Sequence, residues 1–325
     1  MAMVHNSTFV SSKSDTTIVL MCFGVIIVAI VIFTGNCLVI ASIALNKRLQ
    51  TRTSAFIASL AIGDLLISVL VVPLIIISNI VGPRIDYHKG LRYCHATIAV
   101  AVSLMLNAVA NLGAVSLDRY LAIMSPLRYK TIMRRRLIAG IISSVWIFST
   151  VFGFIPYMGW RKVMFAKSGL FCQVTLNLDR SYIITVCTVA VFPSVFMVVA
   201  YYRIFKTARM HSTRISAAMN SIMLNYSRSS TVTSSLVREA KAAKMVALVL
   251  GSFIIFWTPL FLIMIIDTIK TSFVDSYIYA GAVMFATINS ALNPAIYAAM
   301  NREFRSTFIC LLRCKRTIRV APVPH

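Results

Sequence analysis

Long apolar runs recur along nearly the whole chain, and each is close to the roughly 20 residues a helix needs to cross a bilayer. Seven stand out, at 17–43, 53–79, 91–124, 136–158, 180–209, 239–268 and 273–298. They predict an all-α membrane protein, a seven-transmembrane helix bundle over 17–298. An outer tail over 1–16 precedes it, and a short amphipathic surface helix with a tail over 299–325 follows. The first run starts far in and lacks a small-residue cleavage pattern, so it reads as a retained helix and not a signal peptide.

Composition agrees. Of 325 residues, 59% are hydrophobic and 13% charged, against about a quarter charged in a soluble domain. The net charge of +23 points first to nucleic acid. The basic residues, however, sit between the apolar runs instead of forming one patch, which argues against a nucleic-acid partner. One side carries Lys47, Arg48 and Arg52, then Arg128 to Arg136, then Lys206, Arg209, Arg238 and Lys244, then Arg302 to Arg319. The other side has few basic residues, such as Lys13, Arg84, Lys89 and Lys162. Positive-inside bias places the N-terminus outside and the C-terminus in the cytoplasm. Asn6-Ser7-Thr8 is then a glycosylation acceptor in the outer tail. Cys310 and Cys314 follow the amphipathic stretch at the inner surface, where palmitoylation and unmodified interfacial thiols are alternatives.

Polar groups within the runs need a reason, because ionisable residues are expensive in a bilayer. Asp64 and Asn36 lie in the first two runs, and Asn289, Ser290 and Asn293 in the last. Their oxygens suit a hard cation; a hydrogen-bonded cluster without an ion is the alternative. Asp118-Arg119-Tyr120 lies at the inner end of the third run, twenty-five residues after Cys94. A helix of that length is roughly 37 Å long, so Cys94 reaches the outer surface. Cys172, the other cysteine expected in an outer loop, is its natural disulfide partner, two free thiols being the alternative. Arg119 has a possible partner in Glu239, an acid near the inner end of the sixth run, and such a pair would clamp the two helices. Pro156, Pro193, Pro259 and Pro294 are candidate kinks in runs four to seven.

These residues resemble the rhodopsin-like G-protein-coupled receptor family across almost the whole chain. The motifs are Gly35-Asn36, Leu60-Ala61-Ile62-Gly63-Asp64, Asp118-Arg119-Tyr120, Trp146, Phe253 to Pro259, Asn293-Pro294-Ala295-Ile296-Tyr297, and Phe304. The resemblance implies a switch for G-protein coupling at Asp118, Arg119, Tyr120, Glu239, Tyr201, Tyr297 and Leu127. It implies transmission through Trp257, Phe253, Pro193 and Val109. It also implies a sodium site, an allosteric modulator and not a cofactor, at Asp64, Asn289 and Asn293, with one family oxygen missing at Ala108. Heterotrimeric G proteins, arrestin, receptor kinases and membrane lipids are the implied partners, and the plasma membrane the implied location.

Local flavour is similar to the adenosine receptors, in Val72-Pro73-Leu74, Ser125-Pro126-Leu127-Arg128-Tyr129 and Phe154 to Trp160. The pocket positions differ. The family's purine-binding Asn and His are matched by Met264 and Thr287, and Val174-Thr175 stands where a Phe-Glu pair would be. The Asp of amine receptors is matched by Ala101. The expected ligand pocket is Ala101, Val102, Met105, Leu106, Val174, Thr185, Leu260, Phe261, Met264, Val283 and Thr287, mostly apolar, which favours a small uncharged extracellular ligand. An adenosine-type receptor and a ligand-independent receptor are the alternatives. A transporter is disfavoured by the lack of self-similar halves. An enzyme is disfavoured because the runs hold no Ser/His pair, paired Asp or His-rich motif.

Overall fold

The computed structural model describes the backbone of residues 4–78, 87–160, 172–222, 230–270 and 274–313, and the side chains of 19–78, 91–160, 172–207, 244–270 and 274–313. The first span is Val4–Leu45. The second runs from Arg52 to Leu66, widens into a π turn at Ile67–Val71, and resumes at Val72–Ile76. The third is Tyr87–Met124, followed by a short inner helix, Pro126–Ile132. The fourth is Arg135–Phe154, and a one-turn helix at Val174–Asn177 precedes the fifth span, Arg180–Ile222. The sixth is Ser230–Ile269, the seventh Ser276–Met300, and the surface helix Arg302–Leu312.

Six of these helices are long and apolar enough to cross a membrane by composition alone. The seventh, 25 residues long, is diluted by Asn289, Ser290 and Asn293, all of which are buried. Its polar load faces the bundle and lowers the mean hydropathy of the helix.

The third span is the axis of the bundle. Its most apolar window is 78% buried, against 17% for the fourth span, and it packs on the second, fourth, fifth and sixth. Small residues let it approach the fourth span: a methyl group on Gly153 would collide with Ser103 Oγ and the backbone of Ala99. The lipid-facing surface is aliphatic and aromatic, for example Ile147, Phe192 and Ile255.

Three elements differ from expectation. Pro156 does not kink a continuing fourth span; that helix ends at Phe154, and Pro156 lies in a 3-10 turn, Ile155–Met158, closed by Gly159 at φ 118°. Pro73 in the second span is an additional proline, and the π turn just before it absorbs the hydrogen-bond defect that proline imposes. The fifth and sixth helices continue well beyond the apolar runs, because a helix satisfies its own backbone and need not stop at the membrane interface.

Inner helix ends are capped by side chains. Thr51 accepts from the Ser54 N–H at 3.2 Å, and Asn301 from the Glu303 N–H at 2.9 Å. Tyr297 stacks on Phe304 at 5.6 Å and Asn46 Nδ2 donates to Thr307 Oγ1 at 2.9 Å, docking the surface helix on the first and seventh spans.

Candidate functional site

Three sites lie along the bundle axis. The outermost is a cavity of about 200 Å³. Eight of the eleven expected pocket residues line it: Ala101, Val102, Met105, Val174, Leu260, Met264, Val283 and Thr287. Three do not. Leu106 is packed in the core, Phe261 lies against Trp257 with ring centroids 5.9 Å apart, and Thr185 turns its hydroxyl to the Ser181 carbonyl at 2.7 Å. Helical geometry explains Leu106: one residue past Met105, it points about 100° around the helix from it.

The cavity also reaches residues that the pocket positions did not include. Met21, Cys22 and Val25 come from the first span, Ile67, Val71 and Ile75 from the second, and Gln173 from the outer loop. No periodicity distinguishes these from ordinary core positions.

Its lid is fixed covalently. Cys94 and Cys172 form a disulfide with a Cα–Cα distance of 5.3 Å. The residues just beyond are tied down as well. The Val174 N–H donates to Tyr279 Oη at 3.2 Å, and Thr175 Oγ1 to Asp267 Oδ2 at 2.5 Å. Asp267, 3% exposed, also accepts from the Val274 N–H at 3.1 Å. Two wall hydroxyls are engaged within their own helices: Thr97 Oγ1 donates to the Tyr93 carbonyl and Thr287 Oγ1 to the Val283 carbonyl, both at 2.8 Å. None of the described lining residues is charged.

Below the cavity lies a polar layer. Asp64 is buried, accepts from Asn293 Nδ2 at 2.9 Å and has Ser290 against it. Asn36 Nδ2 donates to the carbonyls of Ile32, at 2.9 Å, and Ser290, at 3.2 Å. In the third span Asn111 Nδ2 donates to Asn107 Oδ1 at 2.8 Å. The oxygens Asn36 Oδ1, Asn111 Oδ1, Asn289 Oδ1 and Asn293 Oδ1 are buried with no donor. A carboxylate among donor-less amide oxygens has the chemistry a hard monovalent cation requires. These groups fit such an ion even though Ala108 brings no oxygen.

The inner site is a buried ion pair with helpers. Arg119 donates to Asp118 Oδ2 through Nη2 at 2.8 Å and Nε at 3.1 Å. Thr53 Oγ1 donates to the same oxygen at 2.7 Å and is itself contacted by Arg119 Nη2. Tyr129 Oη donates to Asp118 Oδ1 at 2.8 Å. Burial first, then the Asp118 carboxylate, pushes the Tyr129 phenol up to about 12. Tyr201, 5% exposed, comes up beside Ser116 and Arg119, Tyr297 is buried, and Leu127 is 93% exposed on the inner face. The expected partner Glu239 lies outside the described side chains, as do Asn6 and Cys314. Thr53 and Tyr129 were not expected here. A threonine at the start of a helix reads as a cap, yet Thr51 takes that role and frees Thr53 to reach the third span.

A line of rings runs inward along the sixth span from the level of the cavity: Phe261, then Trp257, which lines the cavity, then Phe253, the last two 5.6 Å apart. Val109 is buried in the third span, and Pro193 is half-buried in the fifth.

Residues 35–297 match the 7 transmembrane receptor (rhodopsin family) family, and the chain belongs to it. It is a multi-pass membrane protein, a G-protein-coupled receptor and not an enzyme. The chain is 32% identical to the Histamine H2 receptor of Rattus norvegicus over 320 residues, 96% of this chain and 85% of that one. It is 32% identical to the 5-hydroxytryptamine receptor 4 of Homo sapiens over 299 residues, 86% of this chain and 76% of that one. These relatives are named for amines, so the adenosine-receptor flavour of the loops gains no specific support from them.

Proposed function

We propose that this receptor responds to an uncharged, largely apolar agonist reaching the outer cavity, with the N-terminus outside and the C-terminus in the cytoplasm of the plasma membrane. The observation that carries this reading is the cavity wall, which among the described residues has no charged side chain and has Ala101 where an amine receptor carries its carboxylate. An ammonium group buried there without a counter-charge is costly. The loop similarity to adenosine receptors supports no purine agonist either, since Met264 and Thr287 replace the purine anchors.

An amine agonist is the second reading, favoured by the names of the relatives. It would need a carboxylate in the wall. Asp267 is buried in the outer half, but it is bound to Thr175 and the Val274 N–H and does not line the cavity. Dose–response curves in cells expressing G-protein chimeras separate the readings. Activation by an uncharged apolar compound, with histamine, 5-hydroxytryptamine and adenosine inactive at micromolar levels, is expected. Sub-micromolar activation by any of those three would sink the proposal.

On the same reading, Asp64, Asn289 and Asn293 hold a modulatory sodium ion, and Asp118, Arg119 and Tyr120 form the coupling switch with Tyr201 and Tyr297. Glu239 would clamp Arg119. Arrestin and receptor kinases would act on the inner face. Asn6 would carry glycan and Cys310 and Cys314 acyl chains.

A further inference from the structure

The cavity does not stop at the centre of the bundle. It extends between the first and seventh spans, where Met21 and Cys22 face Ala280, Gly281 and Met284. One turn further in, the two helices close on each other: a Cβ added to Gly24 would lie 3.0 Å from Met284 Cε. At Gly281 they do not. This residue lines the cavity and is itself exposed, and among the described residues a Cβ added there would meet nothing within 4 Å. An exposed wall residue with open space beside it, set between two spans, is where an opening from the cavity into the bilayer would lie.

A second, independent feature lies at the lid. Gln173 lines the same cavity and is 3% exposed, and its Nε2 is buried with no acceptor. A buried donor without a partner is unfavourable, so an acceptor supplied by a ligand would satisfy it. The disulfide-linked backbone at Cys172 holds that donor in place.

From these two features we infer that the agonist enters sideways from the outer leaflet, between the first and seventh spans at Gly281. Its uncharged carbonyl or ether oxygen accepts from Gln173 Nε2 and its apolar chain lies toward Cys22. The inference rests on the uncharged-agonist reading above and adds a ligand class, an acyl or alkyl chain with one neutral acceptor head. A water occupies roughly 10–15 Å³ on the scale used for small cavities, so about 200 Å³ holds on the order of a dozen non-hydrogen atoms. A longer chain would trail through the opening into the bilayer.

The test uses the full-length receptor in nanodiscs, with monodecanoylglycerol as probe and decane and decyltrimethylammonium as comparisons. Alkylation of Cys22 by N-(1-pyrenyl)maleimide is followed by mass mapping of its peptide. Monodecanoylglycerol should protect Cys22 saturably. Gln173→Leu should raise the half-protecting concentration about tenfold, as expected for one hydrogen bond, and decane should protect the variant and the wild type equally. Gly281→Phe should slow the onset of protection at least about tenfold with little change in the half-protecting concentration, since only the barrier to entry changes. Gly281→Ala should behave as wild type and shows that the backbone accepts a side chain. No saturable protection, or an unchanged onset in Gly281→Phe, overturns the inference. An uncharged agonist that signals equally fast in Gly281→Phe overturns the route but leaves the agonist class intact. Amine-only signalling with Cys22 still protected would instead remove the agonist class and leave the site.

Discussion

Thr53 offers the sharpest test of the inner site. Its hydroxyl donates to Asp118 Oδ2 at 2.7 Å across the seam between the second and third spans, with Thr53 8% and Asp118 0% exposed. Thr53→Val keeps the shape and removes the donor. A hydrogen bond to a charged group contributes about 1.5–3 kcal/mol. The lower end applies, because Asp118 keeps Arg119 at 2.8 Å and Tyr129 at 2.8 Å and is not stranded. About 1.5 kcal/mol is roughly a tenfold change in an equilibrium constant. Removing the bond that holds the third span to the second should shift the closed-to-open equilibrium by that factor if the bond breaks on activation. Basal second-messenger output at matched surface density should therefore rise several-fold, and the melting temperature of the purified receptor should fall. Tyr129→Phe, acting on the other carboxylate oxygen, should add less, since the phenol is half-exposed. The double variant should be non-additive, because both donors share one carboxylate. Unchanged basal output in the double variant at matched expression would refute the lock.

The pH behaviour of that lock follows from the Tyr129 phenol, raised to about 12 by burial and by Asp118. A folded-state value above the ordinary one of about 10 favours the protonated form in the fold. Its contribution is full below pH 10 and is lost as pH rises through 12. Tyr129 therefore stays a donor across pH 6 to 9.

Two further outcomes test the other sites. Cys94→Ala should lower surface expression and stability: a crosslink across 78 residues restricts the unfolded chain by about 4.5 kcal/mol in the loop-entropy model, and alkylation of both Cys94 and Cys172 in the native protein would contradict the bond. Sodium at constant ionic strength should raise the melting temperature, and Asp64→Asn should abolish that response, because an ion bound to one state stabilises it by linkage; an equal response in the variant would move the ion elsewhere.

How much was legible beforehand differed by site. The spans were readable because a bilayer demands long apolar helices, and their order with Asp64, Arg119 and Pro294 fixed the family resemblance. The disulfide was readable because helix length alone carries Cys94 to the outer surface. The cavity was readable on its central side, where Ala101, Met105 and Met264 follow helical spacing. It was hidden on the side of the first span, where Met21, Cys22 and Val25 look like any other apolar residues of a membrane helix. Gln173 was hidden because an unpartnered amide is a property of three-dimensional surroundings. Thr53 was hidden by its neighbour Thr51, since capping and interhelical bonding select the same side-chain chemistry.

On the proposed reading the polar layer and inner site hold the switching groups, while the described outer wall has no charged group. A ligand shifts an equilibrium only by its differential affinity for the two states. Without a charge to anchor, that difference must come from shape. Trp257 lines the cavity and stacks on Phe253, which is 1% exposed in the core, so a ligand that presses on the indole displaces a ring that cannot move without repacking its neighbours. Efficacy on this reading depends on the volume placed against Trp257 and affinity on Gln173 and the aliphatic wall, two properties that different parts of one molecule supply. Shortening the apolar chain of an agonist at a fixed acceptor head should therefore lower maximal signalling before it lowers occupancy.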